Sequence, residues 1–179
     1  MTEFEFLSVL ISILFGLGLT HLLYGLFRHL ARRDLTEVHA LYTAWAFMVI
    51  VLNWWVLYQW RDYQHWSFEV FLIVIVWATS FYMVSVALYP PDDREASPAH
   101  FDYRWFHWAA LSTGALDVVW TATRGALFTP WYYLPFVGHY IVLFALLNLV
   151  RSPAFRRAAA WWLVLSVLTW AFVVRRFAA

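Results

Sequence analysis

Six apolar stretches of bilayer-crossing length follow one another with only short turns between them, and this pattern restricts the chain more than any other feature. They run over residues 4–27, 38–60, 67–89, 106–128, 131–150 and 158–174. The turns are too short to hold a separate soluble domain, so residues 1–179 read as one all-α transmembrane helical bundle in contact with lipid. Composition agrees: 64% of residues are hydrophobic, 22% aromatic and 13% charged, against about 25% charged in soluble domains. MTEFEF lacks the positive leader of a signal peptide, and the following apolar run is too long for a signal core, so it is expected to remain as the first span.

Composition also excludes chemistry. There is no cysteine, which removes disulfides, iron–sulfur ligation and thiol catalysis. All 12 basic side chains are arginine, so no lysine can form a Schiff base or a phosphate-loop contact. A net charge of +1 argues against nucleic acid. No GxSxG, HExxH or pair of membrane aspartates announces an enzyme, and a three-histidine zinc site lacks a recognisable spacing.

The fourth stretch, FHWAALSTGALDVVWTATRGALF, carries an aspartate and an arginine within a span-length segment. On a helix Asp117 and Arg124 point the same way within about 20° and lie about 10 Å apart along the axis. Thr113, Gly114, Trp120 and Thr121 share their stripe, whereas Leu111, Ala115, Val118, Ala122 and Ala126 form the opposite face. An unpartnered charge at mid-bilayer costs about 2.5–3.5 kcal/mol on insertion scales, so this stripe is expected to face the bundle interior. One reading is a proton or ion relay through Asp117, with His107, His139 and His21 as further stations, Arg124 as a counter-ion and Asn53 as another interior polar group. The other is a structural ion pair that fixes helix packing. No metal site is expected in the spans; the acidic loop with Asp92, Asp93, Glu95, His100 and Asp102 suggests a divalent cation or, more simply, a solvated connection. A different class is b-type heme held between His21 and His107.

In the first span Ser8, Ser12, Gly16 and Thr20 recur every fourth residue and would let another helix approach closely, while Gly18, His21 and Gly25 form a second face. Both faces are expected to be packed, and the first suits a homo-oligomer or a membrane partner. Trp54, Trp55, Tyr58, Trp60, Tyr63 and Trp66 read as an interfacial belt, with a cation cage as the alternative. Arg28, Arg32, Arg33, Arg94, Arg104, Arg151, Arg156 and Arg157 fall on one side, against Arg61, Arg175 and Arg176 on the other, which places both termini outside the cytoplasm. The two halves show no repeat of the kind found in secondary transporters.

The opening FEFLSVLISILFGLGLTHLLYGLFR, together with the later tryptophan-rich spans, resembles uncharacterised bacterial multi-pass inner-membrane proteins. That resemblance implies location and span number and no activity. From the residues themselves, the first functional expectation is movement of a proton, ion or small solute along the polar interior of the fourth span. The second is a non-catalytic membrane subunit or sensor, and heme-based redox chemistry is a further alternative.

Overall fold

The structure is a computed structural model that describes residues 2–61, 63, 65–91 and 101–174, the side chains of residues 173 and 174 excepted. The described chain forms six helices and no strand: α1 (Glu3–Arg32), α2 (Glu37–Leu57), α3 (Phe68–Leu88), α4 (Arg104–Thr123), α5 (Tyr133–Leu149) and α6 (Pro153–Thr169). A 3₁₀ turn, Tyr58–Trp60, extends α2, and a π turn, Trp170–Val174, extends α6. Three of these, α1, α3 and α2 with its 3₁₀ turn, are long and apolar enough to cross a membrane.

Small hydroxyl residues start the helices. Thr2 accepts from the Glu5 amide while Glu5 returns a bond to the Thr2 amide, closing a capping box on α1. Thr36, Ser67 and Ser152 each accept a backbone N–H at the start of α2, α3 and α6, and Pro153 opens α6 where its missing N–H is not needed. Arg33 ends α1 in the left-handed conformation. Helix α4 stops at Thr123, short of the expected residue 128, because Gly125 takes a φ of 67° and turns the chain back toward the bundle. Ala126 therefore lies beyond the helix and cannot belong to its outer face.

The helices close a circuit in the order α1, α3, α4, α5, α6, α2, with α2 also touching α3. On α1 the buried seam is Leu7, Ile11, Phe15, Gly18, Leu22, Gly25 and His29, a three-and-four spacing that keeps one stripe against its neighbours. Phe15, Trp77 and Phe81 pack edge to face between α1 and α3, and Trp45, Phe106 and Phe144 join α2, α4 and α5. Large apolar side chains also cover the outside, among them Phe6, Val9, Ile13, Leu17, Leu72, Val76, Val119 and Val142.

Of the two faces of α1 expected to pack, only the one with Gly18 and Gly25 does so within a single chain. A Cβ on Gly18 would meet Ser85 Oγ at 3.3 Å, and one on Gly25 would overlap the ring of Tyr89, so this face exists to let α3 approach. On the other face Thr20 is exposed, and a Cβ on Gly16 would meet nothing within 4 Å. Gly25→Ala should therefore destabilise the protein by about 1–3 kcal/mol through overpacking. Gly16→Ala should be neutral or stabilising by up to about 1 kcal/mol, from helix propensity alone. Thermal unfolding of the two variants in detergent, followed by circular dichroism, checks the contrast, and equal melting temperatures would refute it.

Candidate functional site

A cavity of about 210 Å³ lies inside the bundle between α2, α4, α5 and the end of α6. The stripe Ala110, Thr113, Gly114, Asp117, Thr121 and Arg124 forms its α4 wall. These positions advance by three or four residues per turn, so the periodicity that gathers them in sequence also aims them at one space. Asn53 faces the cavity from α2, where its amide also donates to the Val49 carbonyl at 2.8 Å. Tyr133, Phe136 and Tyr140 close it from α5, and Trp170 closes it from α6. A Cβ on Gly114 would stand 3.0 Å from Ile141, so glycine there lets α5 come close to the site.

Asp117 is tied to two further helices. Trp77 Nε1 of α3 donates to Oδ1 at 3.0 Å, and the Tyr133 hydroxyl of α5 donates to Oδ2 at 2.7 Å. The same hydroxyl lies 3.0 Å from the Asp117 carbonyl. An indole nitrogen only donates, so the carboxylate must accept at that oxygen. Arg124 lies against the contacting pair Trp60 and Trp120, its guanidinium carbon 5.1 Å from each ring centre, while the two indoles are themselves 4.8 Å apart. The cation in this part of the aromatic cluster is thus the protein's own arginine. Trp54, Trp55 and Tyr58 are exposed around it, with Arg61 stacked on Tyr58.

Of the residues singled out from the sequence, Asp117, Arg124 and Asn53 share this cavity, and His107, His139 and His21 do not line it. His21 Nε2 bonds to the Tyr89 carbonyl at 2.7 Å, between α1 and the end of α3. His139 is half-buried on α5 among Phe136, Tyr140 and Trp162. His107 is 1% exposed and bonds through Nε2 to the Tyr42 hydroxyl at 3.2 Å. His21 and His107 share no ring or hydrogen-bond partner.

His107 belongs instead to a polar cluster at the opposite end of the bundle, most of which sequence reasoning missed. His29 bonds to Asp34 at 2.9 Å, and its ring lies 5.7 Å from that of His39. His39 Nδ1 meets the Tyr103 hydroxyl at 3.2 Å, and Thr43 pairs with the Tyr89 hydroxyl at 2.7 Å. Burial raises the Tyr103 hydroxyl pKa above its ordinary value, while Thr36 and Arg156 pull it back. Among the described residues no three histidine or acidic side chains converge as a metal site. Asp92, Asp93, Glu95 and His100 of the acidic loop lie outside the described residues, and Asp102 caps the Arg104 amide at 3.1 Å. Between cavity and cluster stand Trp45, Phe106 and Phe144: Trp45 and Phe144 line the cavity, and Phe106 and Phe144 touch His107.

No family model, no curated protein and no solved structure matches this chain.

Proposed function

We propose that the protein is a six-span integral membrane protein, of the bacterial inner membrane as its resemblance implies, that moves a proton, ion or small solute along the polar interior beside α4. The membrane reading rests on three helices of crossing length and on the large apolar side chains that cover the outside. Alternating helix directions bring Arg28, Arg32, Arg33, Arg104, Arg151, Arg156 and Arg157 to one end, which under the positive-inside rule faces the cytoplasm. The observation that carries the functional reading is the cavity itself. Asp117, Thr121, Arg124 and Asn53 line open space between helices as well as making helix contacts, and intramembrane ionisable groups on such a space mark solute and ion pathways.

The test is flux into proteoliposomes under a pH or ion gradient. Asp117→Asn keeps the size of the side chain and an acceptor for Trp77 but removes the charge, so it should abolish flux and leave helicity intact. Absence of flux in the parent, together with unfolding of Asp117→Asn in detergent, would replace this reading with a structural role for the aspartate.

A second reading, a membrane subunit that works by assembly, is favoured by one observation. On the Ser8, Ser12, Gly16 and Thr20 face, Thr20 is exposed and Gly16 has open space beside it, while the glycine face is filled. A second copy seated on it would bring backbones close without displacing any packed residue. Gly16→Leu should then shift the cross-linked species toward monomer, and an unchanged pattern would remove this face as a contact.

A further inference from the structure

The start of α6 carries charge of the wrong sign. A helix N-terminus is electropositive and favours anions, yet the first turn of α6 has no acidic residue, and Arg156 and Arg157 follow within four residues of Pro153. Arg157 is compensated: its Nε lies 2.9 Å from Glu37 Oε2, and the other Glu37 oxygen is taken by Trp161 Nε1 at 2.8 Å. Arg156 is not. Its side chain turns inward, half-buried, with the guanidinium carbon 5.6 Å from the Tyr103 ring centre and Nε buried without a hydrogen-bond partner. No carboxylate among the described residues comes within ion-pair distance of it.

The Tyr103 ring that Arg156 faces is stacked 6.2 Å from the ring of His107. His107, 1% exposed, has a second buried nitrogen, Nδ1, without a partner. When Nε2 accepts from the Tyr42 hydroxyl, Nδ1 carries the ring proton and becomes a donor. A guanidinium whose Nε is unpartnered, an unpartnered imidazole nitrogen on the ring stacked with Tyr103, and a helix N-terminus all favour the same kind of ligand. Taking a cation out of water without a counter-ion is costly, so a partner anion stabilises the folded state.

We propose that Arg156, at the N-terminus of α6 and against the Tyr103 ring, is the centre of an oxyanion site for a phosphate group. The group comes either from the headgroup of an anionic phospholipid or from free phosphate. The site stands apart from the α4 cavity and does not depend on the transport reading.

The experiment is a thermal melt of the full chain in a neutral detergent at low ionic strength. Inorganic phosphate, phosphatidylglycerol or phosphatidylcholine is added in separate titrations, to the parent and to Arg156→Gln and Arg157→Gln. Phosphatidylglycerol should raise the melting temperature of the parent and of Arg157→Gln by several degrees, and Arg156→Gln should lose that response. A rise with phosphatidylglycerol alone assigns the ligand to lipid, and a rise with inorganic phosphate as well assigns it to the free anion. Without either addition Arg156→Gln should melt no lower than the parent, a result that a purely structural cation–π role would not give. No response in the parent, or a full response in Arg156→Gln, overturns the proposal. If Arg156→Gln does not fold, Arg156→Lys takes its place: it keeps the charge but loses the planar fork, and its half-saturating concentration should rise about tenfold. An unchanged value there overturns the proposal equally.

Discussion

A carboxylate inside a bundle of apolar helices needs hydrogen-bond donors, and Asp117 draws them from two other helices. The Trp77 indole N–H of α3 and the Tyr133 hydroxyl of α5 reach its two oxygens. Removing either donor would take away a hydrogen bond to a charged group, which contributes about 1.5–3 kcal/mol. The packing of α4 on α3 and on α5 is therefore also a polar requirement. Gly114, one turn away, lets α5 approach closely enough for Tyr133 to arrive. The cavity follows from the same constraint. With α4 held by Asp117 toward α3 and α5, α2 and α6 complete the circuit from the far side and leave space at the centre.

The interior cation of the α4 stripe is an arginine and not a lysine. Arg124 lies against a pair of indoles, which hold a planar, weakly hydrated guanidinium better than they would a compact ammonium. The same pairing recurs where Arg156 faces Tyr103 and Arg61 faces Tyr58. Aromatic faces thus serve as partners for several cations in a chain with few carboxylates near mid-helix.

Six helices and the inward stripe of α4 were legible because both depend on periodicity: long apolar runs separated by short turns, and polar residues returning every three or four positions. Asp117, Arg124 and Asn53 could be placed in the interior on that basis. The end of α4 was not legible, since GALF continues the apolar run and only the left-handed φ of Gly125 breaks it. The occupant of the tryptophan cluster was hidden for another reason. Trp60 and Trp120 belong to different helices, and the cation against the pair comes from the one carrying Trp120. The cluster of His29, His39, Tyr89 and Tyr103 was missed because these residues flank arginine-rich turns, which read as solvated. A signal for it did exist: His29 continues the three-and-four seam of α1 that contains Gly25, and His39 lies one helical turn before Thr43 on α2.

The interior has two polar regions. The cavity opens toward the end where α4 finishes, and the histidine–tyrosine cluster occupies the end where α4 begins, with Trp45, Phe106 and Phe144 between them. Those three rings touch one another and form an aromatic layer between the two polar regions. Under the transport proposal this layer must be where the two sides are kept apart. A solute reaching the far end would have to displace Phe144, which contacts both the cavity wall and His107. Displacing Phe144 would break its ring contact with Trp45, which α2 holds in the cavity wall. Movement of α2 would in turn strain the contact of Glu37 with Arg157 and Trp161 at the start of α6. Opening the barrier is thereby coupled to the clasp between α2 and α6, so the helices that complete the circuit, and not α4 itself, are the mechanical elements of any such cycle.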